Sequence, residues 1–209
     1  MATPRETSTT MAGGRNRPER RQTMRSVTST VLAVVFLSAL PLAAQHTPRG
    51  TATDVSKVEV EATLQKTAKA AVSDQAIRVV SINNEYNVGV GVVHSARTGP
   101  PNNGNGIEHS QITEVYHVIE GNGTFVTGGT IVGAKESAAD SQVVKVLNGP
   151  STGGGAVEGG VSRKLGPGDV VIIPPNTPHW FSEITTDQIV YLVVRVDPHK
   201  VLPAGYVAK

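Results

Sequence analysis

Short apolar runs, most of them alternating with polar positions, occupy the chain from about residue 76 onward. Glycine, proline and asparagine separate these runs, most densely over residues 100–106 and 152–160. Runs of this length between turn-forming residues are typical of β-strands. They predict strands over residues 76–82, 86–94, 114–120, 123–127, 143–147, 169–174, 179–184 and 189–196. We therefore expect an all-β fold, an antiparallel sandwich or small barrel.

One helix is predicted ahead of the strands. Ser56 and Glu59 have the spacing of a capping box, in which each side chain accepts a hydrogen bond from the other residue's backbone amide. Val60 and Leu64 follow at the spacing of one helical face. A short helix over about 57–68 is therefore expected.

Two of the predicted strands carry apolar residues on both faces. Residues 170–173 and 189–194 are apolar at odd and even positions alike, so both faces of these strands should be covered. One face packs into the sandwich, and the other needs the N-terminal helix or a second protomer. A homodimer is the assembly that this pattern predicts.

Residues 1–44 have the pattern of a cleaved secretory signal peptide. Six arginines precede an apolar run at 31–44, which is interrupted by Pro41 and ends in small residues. The run falls short of the roughly 20 residues of a membrane-spanning helix, so we expect cleavage after Ala44 and no stable membrane anchor. The protein would then be secreted or periplasmic. Met24 is an alternative start that leaves a signal of ordinary length.

The signal peptide also sets the domain boundaries and the charge. After it we expect an arm and short helix at 45–75, the barrel at 76–198 and a tail at 199–209. The whole chain has 19 basic and 17 acidic residues, of which residues 1–44 hold six and two. The remaining 13 and 15 give a formal charge of −2, which is no basis for nucleic-acid binding. The chain has no cysteine, and all its methionines lie within residues 1–24.

Candidate metal ligands cluster at the start of the third predicted strand. His109, Gln111 and Glu114 lie within six residues of one another and offer an imidazole nitrogen, an amide oxygen and a carboxylate oxygen. All three are competent ligands of a metal ion. Glu114 is also the candidate proton-transfer group if it does not bind the metal. Tyr116, two positions further along the same strand, is a candidate substrate-binding residue.

A second cluster follows about 70 residues later. A buried strand ends at Pro174, and His179 opens the next strand beside the aromatic Trp180. His179 is the fourth candidate metal ligand, and Trp180 is a second candidate for substrate binding. His117 has the strand parity opposite to Glu114, so its side chain should point away from the site.

These two stretches resemble the two motifs of the cupin superfamily. The first motif, His-x-His, three or four residues, Glu, six residues, Gly, is matched by His109, Glu114 and Gly121. The second motif is Gly, five residues, Pro, x, Gly, two residues, His, three residues, Asn, and Gly168, Pro174 and His179 match it. The resemblance covers roughly residues 76–198. It implies a cupin-type antiparallel β-sandwich or jelly-roll barrel of the small single-domain kind, with a metal ion held inside.

The chain departs from the family motifs at three positions. Ile107 stands where the first histidine is expected. A shift by two residues instead makes His109 the first ligand and Gln111 the second, and it preserves side-chain parity. Asn176 replaces a glycine, which a turn with positive φ tolerates, and Glu183 replaces the final asparagine. Whether Gln111 or Glu114 completes the site stays open.

The expected cofactor is one divalent transition metal, with copper, iron and zinc as the alternatives. Three protein ligands leave positions for water, dioxygen or a small-molecule substrate. The first hypothesis is a metal-dependent oxidoreductase that acts on a small polar or carbohydrate-derived substrate. The alternatives are a non-catalytic sugar-binding or small-molecule-binding cupin and a metal-dependent isomerase or lyase. The residues do not identify the substrate, because this fold supports many activities.

Overall fold

The computed structural model describes residues 51–99 and 104–209. The signal peptide and the first residues of the arm lie outside the described residues and stay predictions. The described part contains one α-helix, one π-helical turn and twelve strands. Their bounds are α1 Lys57–Lys66, β1 Val72–Ile82, β2 Tyr86–Thr98, β3 Ile107–His109, β4 Thr113–Glu120, β5 Gly123–Thr127, β6 Thr130–Ile131, β7 Lys135–Glu136, the π-helical turn Val143–Asn148, β8 Ser151–Gly153, β9 Val157–Glu158, β10 Val161–Leu165, β11 Val170–Ile173 and β12 His179–Asp197.

The predicted all-β fold is confirmed. Every strand pair in the described residues is antiparallel, and all strands except β6 and β9 belong to one curled sheet. The predicted helix is also confirmed, at Lys57–Lys66. Its capping box is formed, since Ser56 Oγ accepts from the Glu59 amide and the Glu59 carboxylate accepts from the Ser56 amide.

Strand β12 pairs with four other strands of the sheet, β2, β3, β4 and β5. Its first residues pair with β3 and β5, and its later residues lie between β2 and β4. Irregularities in the register between Phe181 and Glu183, and between Ile184 and Gln188, mark the change from one set of partners to the other. β-Bulges of this kind bend a strand, so one strand serves both sides of the barrel. His179 is the first residue of β12 and lies ahead of both irregularities.

The C-terminal tail is hydrogen-bonded to the sheet. The amide of Gly205 donates to the carbonyl of Val79 on β1, and the Val79 amide donates to the carbonyl of Tyr206. Val207 forms a β-bridge with Arg78. The C-terminal residues therefore cover part of the free edge of β1.

One predicted strand is wrong. Residues 143–148 form a π-helical turn and not a strand. The Ser141 hydroxyl accepts from the Val144 amide and the Ser141 carbonyl accepts from the Lys145 amide, which starts a helical turn before the apolar run begins. The valines at 143, 144 and 146 favour a strand intrinsically, but this local capping determines the conformation.

The core fills the space between the sheet faces. Phe125, Ile173, Ile184 and Val193 are each at most 2% exposed and belong to one cluster. A second cluster lies under α1, where Val60 and Leu64 pack with Val190 and Leu192 of β12 among others. The helix therefore covers the outer face of β12 in that region, one of the two arrangements that the pattern predicted.

The outer face of β11 has no such cover in the described chain. Val170 is 59% exposed and Ile172 is 68% exposed. Ile172 pairs with Val115 of β4, which in turn pairs with Val194 of β12, so the apolar surface continues across three strands. In water such a surface favours association.

We propose that this surface is the contact of a homodimer. Changing Ile172 to glutamate is expected to convert the dimer to a monomer, because the change places a charge in an apolar contact. Light scattering at micromolar concentration measures the change. Val161→Glu on β10 is the matched control, since Val161 is 64% exposed but belongs to another strand pair. A wild-type monomer would contradict the dimer.

No helix among residues 51–99 and 104–209 is long and apolar enough to cross a bilayer.

Candidate metal centre

Three elements position the candidate ligands. His109 is the last residue of β3, Glu114 is the second of β4 and His179 is the first of β12. Ile107 of β3 pairs with His179, so the two motif stretches are neighbours in the sheet. The Asn176 amide donates to the His109 carbonyl at 2.8 Å, and Asn176 has φ 57°, the positive value expected at this turn. The turn before His179, which contains Pro174 and Asn176, is therefore hydrogen-bonded to the stretch that carries the first motif.

The side chains of His109, Glu114 and His179 meet at one point. Glu114 Oε2 lies 3.3 Å from the Nε2 atoms of both histidines. All three residues are buried, at 4%, 1% and 2% exposure, and the three potential ligand atoms lie within 4.8 Å of one another. A polar cluster this well buried needs internal compensation for the water it has lost.

The hydrogen bonds of the two histidines determine which nitrogen is free. His179 Nδ1 donates to the carbonyl of Thr177 at 2.9 Å, because a carbonyl can only accept. The Ser151 hydroxyl donates to the Gly149 carbonyl at 2.8 Å, so its oxygen accepts from His109 Nδ1 at 2.8 Å. When the rings are neutral, as metal-binding imidazoles are, Nε2 carries the lone pair in both.

This arrangement fits a divalent metal ion. Two imidazole lone pairs and a carboxylate oxygen directed at one point repel each other unless a cation or a proton lies between them. Orienting bonds from the other ring nitrogen to a carbonyl or hydroxyl are the usual support of metal-binding histidines. The donor set of two nitrogens and one oxygen suits iron, copper or zinc better than calcium or magnesium.

The second oxygen of Glu114 is held by an arginine that the sequence analysis missed. Arg195 Nε donates to Glu114 Oε1 at 3.0 Å, and Arg195 Nη2 donates to Asp74 Oδ2 at 2.5 Å. Arg195 is 2% exposed. The signal was present: a charged residue stood inside the apolar run 189–196, where burial without a partner is costly.

The charges around Glu114 determine its ionisation. Burial alone would raise its pKa, but His109 and Arg195 outweigh burial and hold the pKa of Glu114 well below its ordinary value. The carboxyl is therefore ionised at neutral pH and available as a ligand. The same effect makes it a weak base for proton transfer.

Tyr116 lies beside the three candidate ligands. Its hydroxyl donates to Glu114 Oε2 at 3.0 Å and lies 3.2 Å from His179 Nε2. Burial and the neighbouring Glu114 charge raise the pKa of Tyr116 well above its ordinary value, so the phenol keeps its proton. Tyr116 also lines the adjoining cavity, where the structure places it as a hydrogen-bond donor next to the site.

The other predicted site residues lie further away. Gln111 is half-buried in the bend between β3 and β4 and does not line the cavity. Trp180 is among the cavity-lining residues, but it packs chiefly with Val126, Ile131 and Val157 in a separate apolar cluster. His117 is exposed on the outer side of β4, as strand parity predicted.

A cavity of about 410 Å³ adjoins the candidate metal centre. Its wall is mostly apolar and aromatic and includes Val93, Phe125, Phe181, Ile184 and Tyr191. This volume is in the range of small-molecule sites, in which an apolar wall carries a few polar groups. The structure thus joins a candidate metal centre to a space for a small ligand.

No protein-family model matches the chain, and no curated protein matches it. Solved structures are similar to it. A protein of Bacillus halodurans is 14% identical over 78% of this chain and 90% of its own, with a TM-score of 0.42. A cupin protein of Bacteroides fragilis is 17% identical over 56% of this chain and 72% of its own, with a TM-score of 0.31. An oxalate decarboxylase of Lactobacillus farciminis is 14% identical over 62% of this chain and 30% of its own, with a TM-score of 0.37.

The fold that the cupin resemblance implied is present: the sheet is antiparallel and curled, and both motif stretches reach the same buried point. One fold supports many activities, so function has to be argued from the geometry of the site.

Proposed function

We propose that this protein is an exported, metal-dependent oxidoreductase that acts on a small polar or carbohydrate-derived substrate. One observation carries the proposal: two histidine nitrogens and one carboxylate oxygen converge beside a cavity large enough for a substrate. Two histidines and one carboxylate, with the remaining positions open, are the ligand set of non-haem iron oxygenases. The methionines lie within residues 1–24, so an exported chain without them is free of oxidisable sulfur.

The candidate ligands, Tyr116 and the apolar wall of the cavity have separate expected roles. His109, His179 and Glu114 would hold the metal, which supplies redox or Lewis-acid chemistry when bound. The Tyr116 phenol keeps its proton and donates a hydrogen bond to Glu114 Oε2, which orients the carboxylate beside the two histidines. The apolar wall excludes water and strengthens these polar contacts. Glu114 serves better as a ligand than as a base, because its pKa is held low.

Oxidant consumption tests this function. Metal-free protein is loaded separately with iron(II), copper(II) or zinc(II) and mixed with a panel of sugars, polyols and sugar acids. An oxygen electrode and a peroxide assay then follow the reaction. We expect turnover with iron or copper and none with zinc, because zinc has no redox chemistry. His117→Ala should keep this activity, since its side chain is outside the barrel.

The other outcomes identify the alternatives. Turnover without oxygen, supported by zinc, would indicate an isomerase or lyase and contradict the redox function. Ligand binding that a chelator does not weaken would indicate a binding protein. Export itself is part of the proposal, with the mature chain beginning at Gln45.

A further inference from the structure

Two polar side chains in the cavity wall have an oxygen atom without a hydrogen-bond partner. Asp74 comes from β1, and Asn148 ends the π-helical turn. Both Oδ1 atoms are buried, and neither has a partner within the part of the chain that the structure describes. Buried acceptors are rarely left unpaired in folded proteins, so each calls for a donor from outside the chain.

The two side chains are neighbours. Asn148 Nδ2 lies 3.5 Å from Asp74 Oδ2, at the outer limit of a hydrogen bond. Asn148 itself is 5% exposed. Asp74 Oδ2 already accepts a hydrogen bond from Arg195 Nη2, and Arg195 Nε donates to Glu114 Oε1. A group that bonds to Asp74 is thus separated from the metal-binding carboxylate by a single guanidinium.

The charges around this pair select the chemistry of the donor. The Asp74 carboxylate would repel an anion. An ammonium group would be repelled in turn by the Arg195 guanidinium, which is bound to the same carboxylate. A neutral hydroxyl meets neither repulsion, and it supplies the missing donor. Several hydroxyls on one small skeleton could satisfy both oxygens at once.

The rest of the wall suits such a skeleton. Leu147 and Val93 lie near the polar pair in the same cavity, together with the rings of Phe181 and Tyr191. Apolar and aromatic surfaces pack against the C–H groups of a polyhydroxylated chain or ring. Arg97, the one arginine among the described lining residues, is exposed and paired with Asp187.

We propose that Asp74 and Asn148 form a subsite for a small polyhydroxy compound, a polyol or a sugar. Neighbouring hydroxyl groups donate to the two Oδ1 atoms, and the remainder of the molecule extends toward His109, Glu114 and His179. The proposal rests on the proposed function, because it assigns the substrate class of that site.

Calorimetry with a redox-inert metal separates binding from turnover. Xylitol is titrated into zinc-loaded protein, and its fully O-methylated ether, which has the same oxygens but no donors, is titrated in parallel. We expect xylitol to bind with a dissociation constant of about 1 mM or lower and the ether to bind at least about tenfold more weakly. Asn148→Leu and Asn148→Ala should each weaken xylitol binding about tenfold.

Controls keep the interpretation specific. Asn122→Leu alters an exposed asparagine outside this cavity and should leave xylitol affinity unchanged. Zinc stoichiometry and the melting temperature are measured for each variant, and either Asn148 variant that keeps both is sufficient. Equal affinity for xylitol and its ether, unchanged affinity in the Asn148 variants, or tighter binding of 1,5-diaminopentane would overturn the subsite.

The two proposals fail in different ways. Full zinc binding without xylitol binding overturns the subsite and leaves the metal-dependent function standing. Absence of metal binding overturns the proposed function itself.

Discussion

Replacing either His109 or His179 with alanine is expected to abolish stoichiometric binding of a transition metal. Each change removes one of two imidazole nitrogens that lie 3.3 Å from Glu114 Oε2. One imidazole and one carboxylate are too few protein ligands to hold such an ion against water. Elemental analysis of purified protein measures the loss, and circular dichroism checks that the β-fold remains.

His117→Ala is the matched control for both changes. His117 belongs to the same strand as Glu114, but its side chain is exposed on the outer face. The variant should bind metal as the wild type does. Loss of metal in His117→Ala with retention in His109→Ala would show that the metal lies elsewhere.

Glu114→Gln and Gln111→Ala decide which oxygen completes the site. Glu114 is 1% exposed and directed at both histidines, whereas Gln111 lies outside the cavity wall. Glu114→Gln should therefore weaken metal binding strongly, because it replaces a charged ligand with a neutral amide. Gln111→Ala should change little. The reverse order would support the register in which Gln111 is a ligand.

The strand positions of the candidate ligands were predictable because local spacing determines them. Strand parity separated His117 from Glu114, and the turn at Asn176 followed from the tolerance of asparagine for positive φ. The choice between Gln111 and Glu114 could not be made, since a shift of two residues leaves every side chain on its own face. Only the bend between β3 and β4 distinguishes them.

The support around the ligands was not predictable from local patterns. Arg195 and Asp74 are 121 residues apart, and His109 and Ser151 are 42 apart. Periodicity shows which face a residue occupies, but not which distant residue it will meet. The π-helical turn at 143–148 was missed for a different reason: capping by Ser141 outweighed the strand preference of the valines.

Arg195→Leu is expected to destabilise the metal-free protein by about 3–5 kcal/mol at neutral pH. The change removes the only cation that the described structure places between Glu114 and Asp74, and it leaves the buried Glu114 and the half-buried Asp74 without their hydrogen bonds to the guanidinium. For a domain of this size the melting temperature should fall by roughly 10 °C. Arg195→Lys should be intermediate, because one ammonium cannot reproduce the forked contact with both carboxylates.

Arg97→Leu is the matched control, because it breaks an ion pair of the same type at the surface. Arg97 and Asp187 lie 3.0 Å apart with side chains 57% and 99% exposed. Solvent screens such a pair, so its loss should change the melting temperature little. Equal effects of the two leucine variants would contradict a structural role for the buried arginine.

The pH dependence of the same variant gives a second, independent test. In the wild type the pKa of Glu114 is lowered, so its charge contributes stability above the unfolded-state value of about 4.3, and this contribution is lost as the pH falls through the folded-state value. Without Arg195, one of the groups that lower the pKa of Glu114 is gone, so this pKa would rise relative to the wild type and the penalty would grow as the pH rises. The difference in unfolding free energy between wild type and Arg195→Leu should therefore be smaller at about pH 4 than at about pH 7, as measured by urea denaturation. A difference that grows toward acid pH would mean that Arg195 does not stabilise the charged form of Glu114.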